Sequence, residues 1–108
     1  AIMGTGGLSH DPGGPKYFSV DEEFDRWFLE LMESGDPERV VRECTMEKMV
    51  DAGDGGTTEL IAWLVAMGAA VGKTGKRPAH TICYEPAVDL RCGMGCIYWE
   101  MEKETVDA

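Results

Sequence analysis

Gly55-Gly56-Thr57-Thr58-Glu59-Leu60-Ile61-Ala62-Trp63-Leu64-Val65-Ala66-Met67-Gly68-Ala69-Ala70-Val71-Gly72 carries no charge between Leu60 and Val71, and apolar side chains occupy every face of its helical period. A helix apolar all round belongs inside a protein, with neighbours on every side. At about 12 residues it is too short for a bilayer, which needs roughly 20. Ala62, Ala66, Gly68, Ala69 and Ala70 leave thin patches where another backbone can come close. Glu59 stands just before the most apolar part of the chain. Either it is a first-turn glutamate facing the positive end of the helix dipole, or it is a buried carboxylate held by a cation or metal.

Working outward, the chain of 108 residues is one domain at most, with a modest core. Ten Lys and Arg against twenty Asp and Glu give a formal charge of −10. That argues against nucleic acid or an anionic membrane as the main partner, since both are polyanions. No leader of secretory type and no transmembrane segment is read, and four cysteines are too few for a disulfide scaffold. A reducing cytoplasm is the expectation. Of fourteen glycines, eight cluster at Gly4 to Gly14 and Gly53 to Gly56, marking places where backbone passes close to something else.

Ala1-Ile2-Met3 runs straight into Gly4-Thr5-Gly6-Gly7 like the end of a buried strand, which suggests a segment of something larger. Gly4 to Pro15 is a loop by composition. Neither Gly4-x-Gly6 nor Gly72-Lys73-Thr74 has the context of a nucleotide-binding motif: the first lacks its third glycine, and the second ends a helix. His10 sits between glycines and prolines on that loop, as either a solvated histidine or an acid/base group on a constrained turn.

Ser19-Val20-Asp21-Glu22 reads as a capping box for a helix from Asp21 to Ser34, stopped by Gly35. Phe24, Trp27, Phe28, Leu31 and Met32 form its apolar stripe. Asp36-Pro37 restarts the chain with Val40 and Val41 inward, and Thr45 caps a further short helix closed by Ala52-Gly53. Glu38, Glu43 and Glu47 make a solvated face, and a basic loop from Lys73 to Pro78 follows the apolar helix. Strands are expected at Ala79 to Tyr84, stopping at Glu85-Pro86, and at Ile97 to Met101, with a glycine-punctuated turn at Asp89 to Cys96 between them. Helices followed by two strands fit an open α/β layer.

His80, Cys83, Cys92 and Cys96 have the residue types of a structural zinc site, at imperfect spacing. Inert thiols, or a Cys92–Cys96 redox pair, are the other readings.

With Gly4-Thr5-Gly6-Gly7-Leu8-Ser9-His10 and Glu59-Leu60-Ile61-Ala62-Trp63-Leu64 both in view, the chain resembles the C-terminal part of the class III extradiol dioxygenases. Within it the chain resembles catalytic subunits of protocatechuate 4,5-dioxygenase and gallate type. In that family a G-T-G-G-[LM]-S-H turn carries the catalytic histidine, and an acid in a later E-L-x-x-W-L helix binds iron. Here His10 and Glu59 are 49 residues apart, with a D-x-x-F-D-x-x-F-L helix (Asp21, Phe24, Asp25, Phe28) between them. The resemblance spans nearly the whole chain and selects the second reading for both residues.

It implies that residues 1–108 form a single segment, the last third of an α/β catalytic domain. It further implies a non-heme Fe(II) site of two histidines and one carboxylate, with open positions for substrate and oxygen. Glu59 would be the carboxylate ligand, and His10 the acid/base that takes a catechol proton. Both histidine ligands come from the family's N-terminal part, so the chain is expected to need that part or a partner subunit, and to work as an oligomer. His80 matches no ligand position. Arg91, the one cation in the Asp89 to Cys96 turn, is expected to pair with the ring carboxylate of a protocatechuate- or gallate-type substrate. The rival function is a small interaction module without chemistry, with zinc at His80, Cys83, Cys92 and Cys96.

Overall fold

The apolar stripe after Asp21 becomes α1 (Glu22–Ser34), which buries Phe28, Leu31 and Met32 completely. In the computed structural model, which describes residues 2–72 and 75–101, Phe28, Leu29, Leu31 and Met32 of this helix belong to the hydrophobic core. Gly35 ends it with φ 64°, a left-handed conformation that glycine adopts without a Cβ penalty, and its N–H donates to the Met32 carbonyl. The start differs from expectation. Asp21, not Ser19, is the cap: its carboxylate accepts from the Phe24 N–H, while the Ser19 hydroxyl donates to the Lys16 carbonyl. The reason lies outside the helix, since the Asp21 N–H is held by the Ser9 hydroxyl at 2.9 Å.

Asp36 caps α2 (Pro37–Glu43) by accepting from the Glu38 and Arg39 N–H groups, and Thr45 caps α3 (Met46–Ala52). Both caps are as the sequence predicts. Val40 is buried, but Val41 is 80% exposed, because a helix of two turns has a single inward row. A 3₁₀ turn, Thr57–Leu60, leads into α4 (Ile61–Val71). Trp63, Ala66, Met67, Ala70 and Val71 are buried, and Phe28 meets Trp63 edge-to-face with ring centroids 5.9 Å apart.

The expectation of an α4 buried all round is corrected: Val65 is 65% exposed and Ile61 45%. Among the described residues, the packing covers one side of α4 only. Ile2 and Met3 are exposed too and belong to no strand, while Ala1 lies outside the described residues, as do Lys73 and Thr74 of the basic loop. A groove of about 780 Å³, lined by Met3, Gly6, Trp63, Ala66, Ile97 and Trp99 among others, separates the 2–6 segment and α4 from the last strand. Apolar surface on this scale is expected to bind a hydrophobic dye and to drive concentration-dependent association in sedimentation. Val65→Lys should reduce both. A dye-silent monomer at all concentrations would contradict this.

The chain closes with β1 (His80–Ala87) and β2 (Cys92–Tyr98), an antiparallel pair running from His80↔Tyr98 to Ala87↔Cys92, with an irregularity between Thr81 and Cys83. The strands differ from those expected. β1 runs through Glu85-Pro86, where Pro86 lies opposite Gly93. β2 begins at Cys92, so the reversal is only the 3₁₀ turn Val88–Leu90 followed by Arg91. Thr81, Tyr84, Gly93, Gly95 and Ile97 face the helices, and His80, Cys83, Met94, Cys96 and Tyr98 face outward. Among the described residues, four α-helices followed by two antiparallel strands make an α/β arrangement, the fold class expected. No helix among the described residues is long and apolar enough to cross a membrane.

Candidate functional site

The loop from Gly4 to Gly14 has no regular structure of its own, yet its middle residues, Leu8 to Asp11, are each tied to a distant part of the chain. The Leu8 N–H donates to the Gly93 carbonyl and the Gly93 N–H to the Ser9 carbonyl, both at 3.0 Å, which docks the loop on β2. A Cβ on Gly93 would lie 2.0 Å from Asp25 Oδ2 and 3.1 Å from the Leu8 Cβ, so this approach needs glycine. Gly93 and Gly95 lie in the stretch read as a turn that carries the substrate-facing Arg91. In the fold they admit Leu8 and Asp25.

Asp25 on α1 is fully buried and receives three bonds: from the Ser9 N–H at 2.8 Å, the Ser9 hydroxyl at 3.0 Å and the Tyr84 hydroxyl at 2.6 Å. Burial pushes its carboxyl above the usual range, against the pull of those three donors. Burial first, and then the bond to Asp25, push the Tyr84 phenol well above the ordinary tyrosine value. Asp11, 2% exposed, accepts from the Gly55 N–H at 2.7 Å and the Lys16 N–H at 3.0 Å.

These anchors fix His10. Its N–H donates to Thr57 Oγ1 and the same hydroxyl donates to its carbonyl, each at 3.2 Å, so the residue is clamped to the 3₁₀ turn. Gly53 and Gly56 wrap around it, and a Cβ on Gly56 would stand 2.2 Å from Nε2. The clustered glycines thus mark a close backbone approach, as their pattern suggested. Nδ1 lies 2.7 Å from the Leu8 carbonyl, which can only accept, so Nδ1 is the protonated nitrogen. Nε2 then points at Glu59 Oε1, 3.3 Å away and 49 residues later in the chain. A carboxylate also only accepts, so that contact is a hydrogen bond when Nε2 carries a proton too.

Glu59 is half exposed (56%), while the imidazole is 12% exposed. The glutamate is therefore not the buried carboxylate that one reading of the sequence offered; it is open to solvent on one side. On the other it meets Gly6, whose Cβ would lie 3.1 Å from Oε2. Trp63 Nε1 donates to the Gly6 carbonyl at 3.2 Å, locking the near wall of the site to α4.

A hard carboxylate oxygen beside an imidazole nitrogen suits a divalent first-row cation. Among the described residues, however, no group of three or more His, Cys, Asp or Glu is placed to hold a metal ion. The donors present fit part of such a site. The same finding corrects the zinc reading: Cys83 and Cys96 are exposed on the outer face, His80 stacks on Tyr98 at 5.0 Å, and Cys92 turns inward toward Gly7. The four do not converge, because they are spread along the length of the ladder, from His80 opposite Tyr98 to Cys92 opposite Ala87.

Arg91 adopts φ 58°, a left-handed conformation uncommon outside glycine and asparagine. Its guanidinium lies 3.9 Å from the Phe18 ring centroid and 4.8 Å from that of Tyr17.

Sequence reasoning missed Asp25, Thr57 and Asp11 as organisers of the site. For Asp25 a signal existed: Asp25, Phe28, Leu29 and Met32 fall at i, i+3, i+4 and i+7, so an acid occupies a stripe position of an amphipathic helix. Thr57 and Asp11 had none, as the partners that tie them to the site, His10 and Gly55, are more than forty residues away.

The family model described as the catalytic LigB subunit of aromatic ring-opening dioxygenase matches residues 1–93. No solved structure matches the chain.

Proposed function

The chain belongs to this family of aromatic ring-opening dioxygenases, and we propose that it forms part of a non-heme Fe(II)-dependent extradiol enzyme of protocatechuate or gallate type. The observation that supports this reading is the 3.3 Å approach of His10 Nε2 to Glu59 Oε1. Two motifs far apart in sequence meet at one place, with one nitrogen already committed to a carbonyl.

In this reading Glu59 supplies one carboxylate ligand, and two histidine ligands come from outside this chain. Glu59 and the two outside histidines would hold Fe(II), which would supply a Lewis acid for a chelating catechol and an open position for dioxygen. The chain's own part is proton handling and orientation. Nδ1 holds its proton on the Leu8 carbonyl, so Nε2 accepts the proton of a substrate hydroxyl, and Glu59 Oε1 stabilises the imidazolium that results. Trp63, fixed by its bond to Gly6, closes one side against water.

Arg91 is assigned to the substrate's ring carboxylate. The Phe18 and Tyr17 rings hold the guanidinium by cation–π contact, and its N–H groups would pair with the carboxylate. Arg91→Met is expected to lower kcat/KM roughly 10–150-fold on a carboxylated catechol and to leave an uncharged catechol unaffected, the effect of losing ~1.5–3 kcal/mol. Equal losses on both substrates, or none, would remove Arg91 from the site.

The reading as a whole is tested by metal binding. The isolated chain is expected neither to retain Fe(II) through gel filtration nor to cleave protocatechuate, and to do both when a histidine-bearing partner segment is supplied. Stoichiometric iron with turnover in the isolated chain would refute the shared site.

A further inference from the structure

The outer face of the hairpin carries two thiols that the site does not use. Cys83 on β1 and Cys96 on β2 are Cα partners in the ladder, and both are free and exposed. Residues directly opposed in an antiparallel pair have Cα atoms about 4.5–5.5 Å apart and side chains on one face. A disulfide needs a Cα separation of about 4.4–6.8 Å, a range that includes the spacing of directly opposed residues. The register is regular on one side of the pair, through Tyr84↔Gly95 and Glu85↔Met94, and the irregularity lies on the other, toward Thr81.

No other thiol competes. Cys92 is on the same strand as Cys96, four residues and about 13 Å away. Its thiol donates to the Gly93 carbonyl at 3.2 Å. Cys44 is buried at the end of α2. Burial pushes both of these thiols up, which disfavours the reactive thiolate.

We infer that Cys83 and Cys96 are a redox-active pair that a hydroperoxide oxidant closes to a disulfide. One thiolate attacks the peroxide oxygen, which breaks the O–O bond and leaves a sulfenic acid. The second thiol then displaces water from that sulfur as the S–S bond forms. With hydrogen peroxide the balance is two thiols and one peroxide to one disulfide and two waters; the sulfurs give up two electrons and the peroxide takes them. The bridge ties together the same ladder that holds Leu8 and Ser9 through Gly93. Closure therefore stiffens the support of the His10 loop from the opposite face of the sheet.

The experiment exposes the full chain to hydrogen peroxide, alkylates the remaining thiols and maps the peptides. The expected result is a loss of two of the four thiols, a Cys83–Cys96 cross-linked peptide that dithiothreitol releases, and a monomeric product. Cys83→Ser and Cys96→Ser should each leave the other thiol as a sulfenic acid that dimedone traps, and Cys92→Ser should leave the cross-link intact. Sulfenic or sulfinic acid at Cys83 or Cys96 in the unsubstituted chain without the cross-link would overturn the pair. So would bridges formed only between chains, or no oxidation at either position.

Discussion

Asp25→Ala is expected to cost the fold about 3–5 kcal/mol in urea unfolding, the largest stability loss foreseen for one substitution here. The carboxylate is the common acceptor of the Ser9 N–H, the Ser9 hydroxyl and the Tyr84 hydroxyl, and it is fully buried. A buried donor left without a partner costs about 1–3 kcal/mol, and three lose their partner at once, relieved in part by water entering the vacated space. Against a typical domain stability of about 5–15 kcal/mol, the variant stands near the edge of folding. Asp25→Asn keeps one acceptor oxygen and should cost less, about 1–3 kcal/mol.

The two carboxyl states give a second measurement. Burial holds Asp25's proton longer in the folded chain than in the unfolded one. The stability this contributes is present below about pH 4 and is lost as pH rises through the folded titration. Asp25→Asn lacks that limb, so the wild-type curve should fall relative to the variant's as pH rises. Tyr84 acts at the other end: its raised phenol contributes stability below about pH 10 that is lost above it, and Tyr84→Phe should remove this alkaline limb. Parallel pH profiles for wild type and Asp25→Asn would show that another group carries the acid limb.

What was legible in the sequence was what neighbouring residues decide among themselves. The α1 stripe, the Gly35 stop, and the Asp36 and Thr45 caps all depend on residues within a few positions, and each formed as read. Where a distant residue intervened, the local reading failed. Ser19 lost its capping role because Ser9 holds the Asp21 N–H and turns the entry to α1. Cys92 to Cys96 read as a turn because of its glycines, yet Gly93 lies in a strand where Leu8 and Asp25 crowd against it. α4 reads as buried all round, and its exposed row at Ile61 and Val65 shows that periodicity gives the need for neighbours, not their presence. The pairing of His10 with Glu59 was reached through motif resemblance alone, since no local rule brings together residues 49 apart. The clamp around them, Thr57 with Gly53 and Gly56, became visible only once the chain was folded.

His10→Ala, made in the enzyme completed by its histidine-bearing part, is expected to lower kcat on protocatechuate about 10²–10⁴-fold while leaving the iron content unchanged. The geometry separates the two roles. Nδ1 of His10 is committed to the Leu8 carbonyl at 2.7 Å, and Gly56 presses on the ring from one side, so the imidazole has one orientation and one working nitrogen. In the proposed reading a carboxylate and two outside histidines hold the metal, so that nitrogen faces Glu59 without being needed as a ligand. Removing the ring therefore deletes a proton acceptor and leaves a ligand set intact. Glu59→Ala should do the reverse, losing iron and turnover together. His10→Gln keeps a side chain that can bond the Leu8 carbonyl but cannot take up a proton near neutral pH, so it should be as slow as alanine. The measurements are iron content, steady-state turnover and thermal midpoint on the same samples. Loss of iron in His10→Ala with the fold retained would make His10 a ligand, and full activity in His10→Gln would show that the imidazole moves no proton.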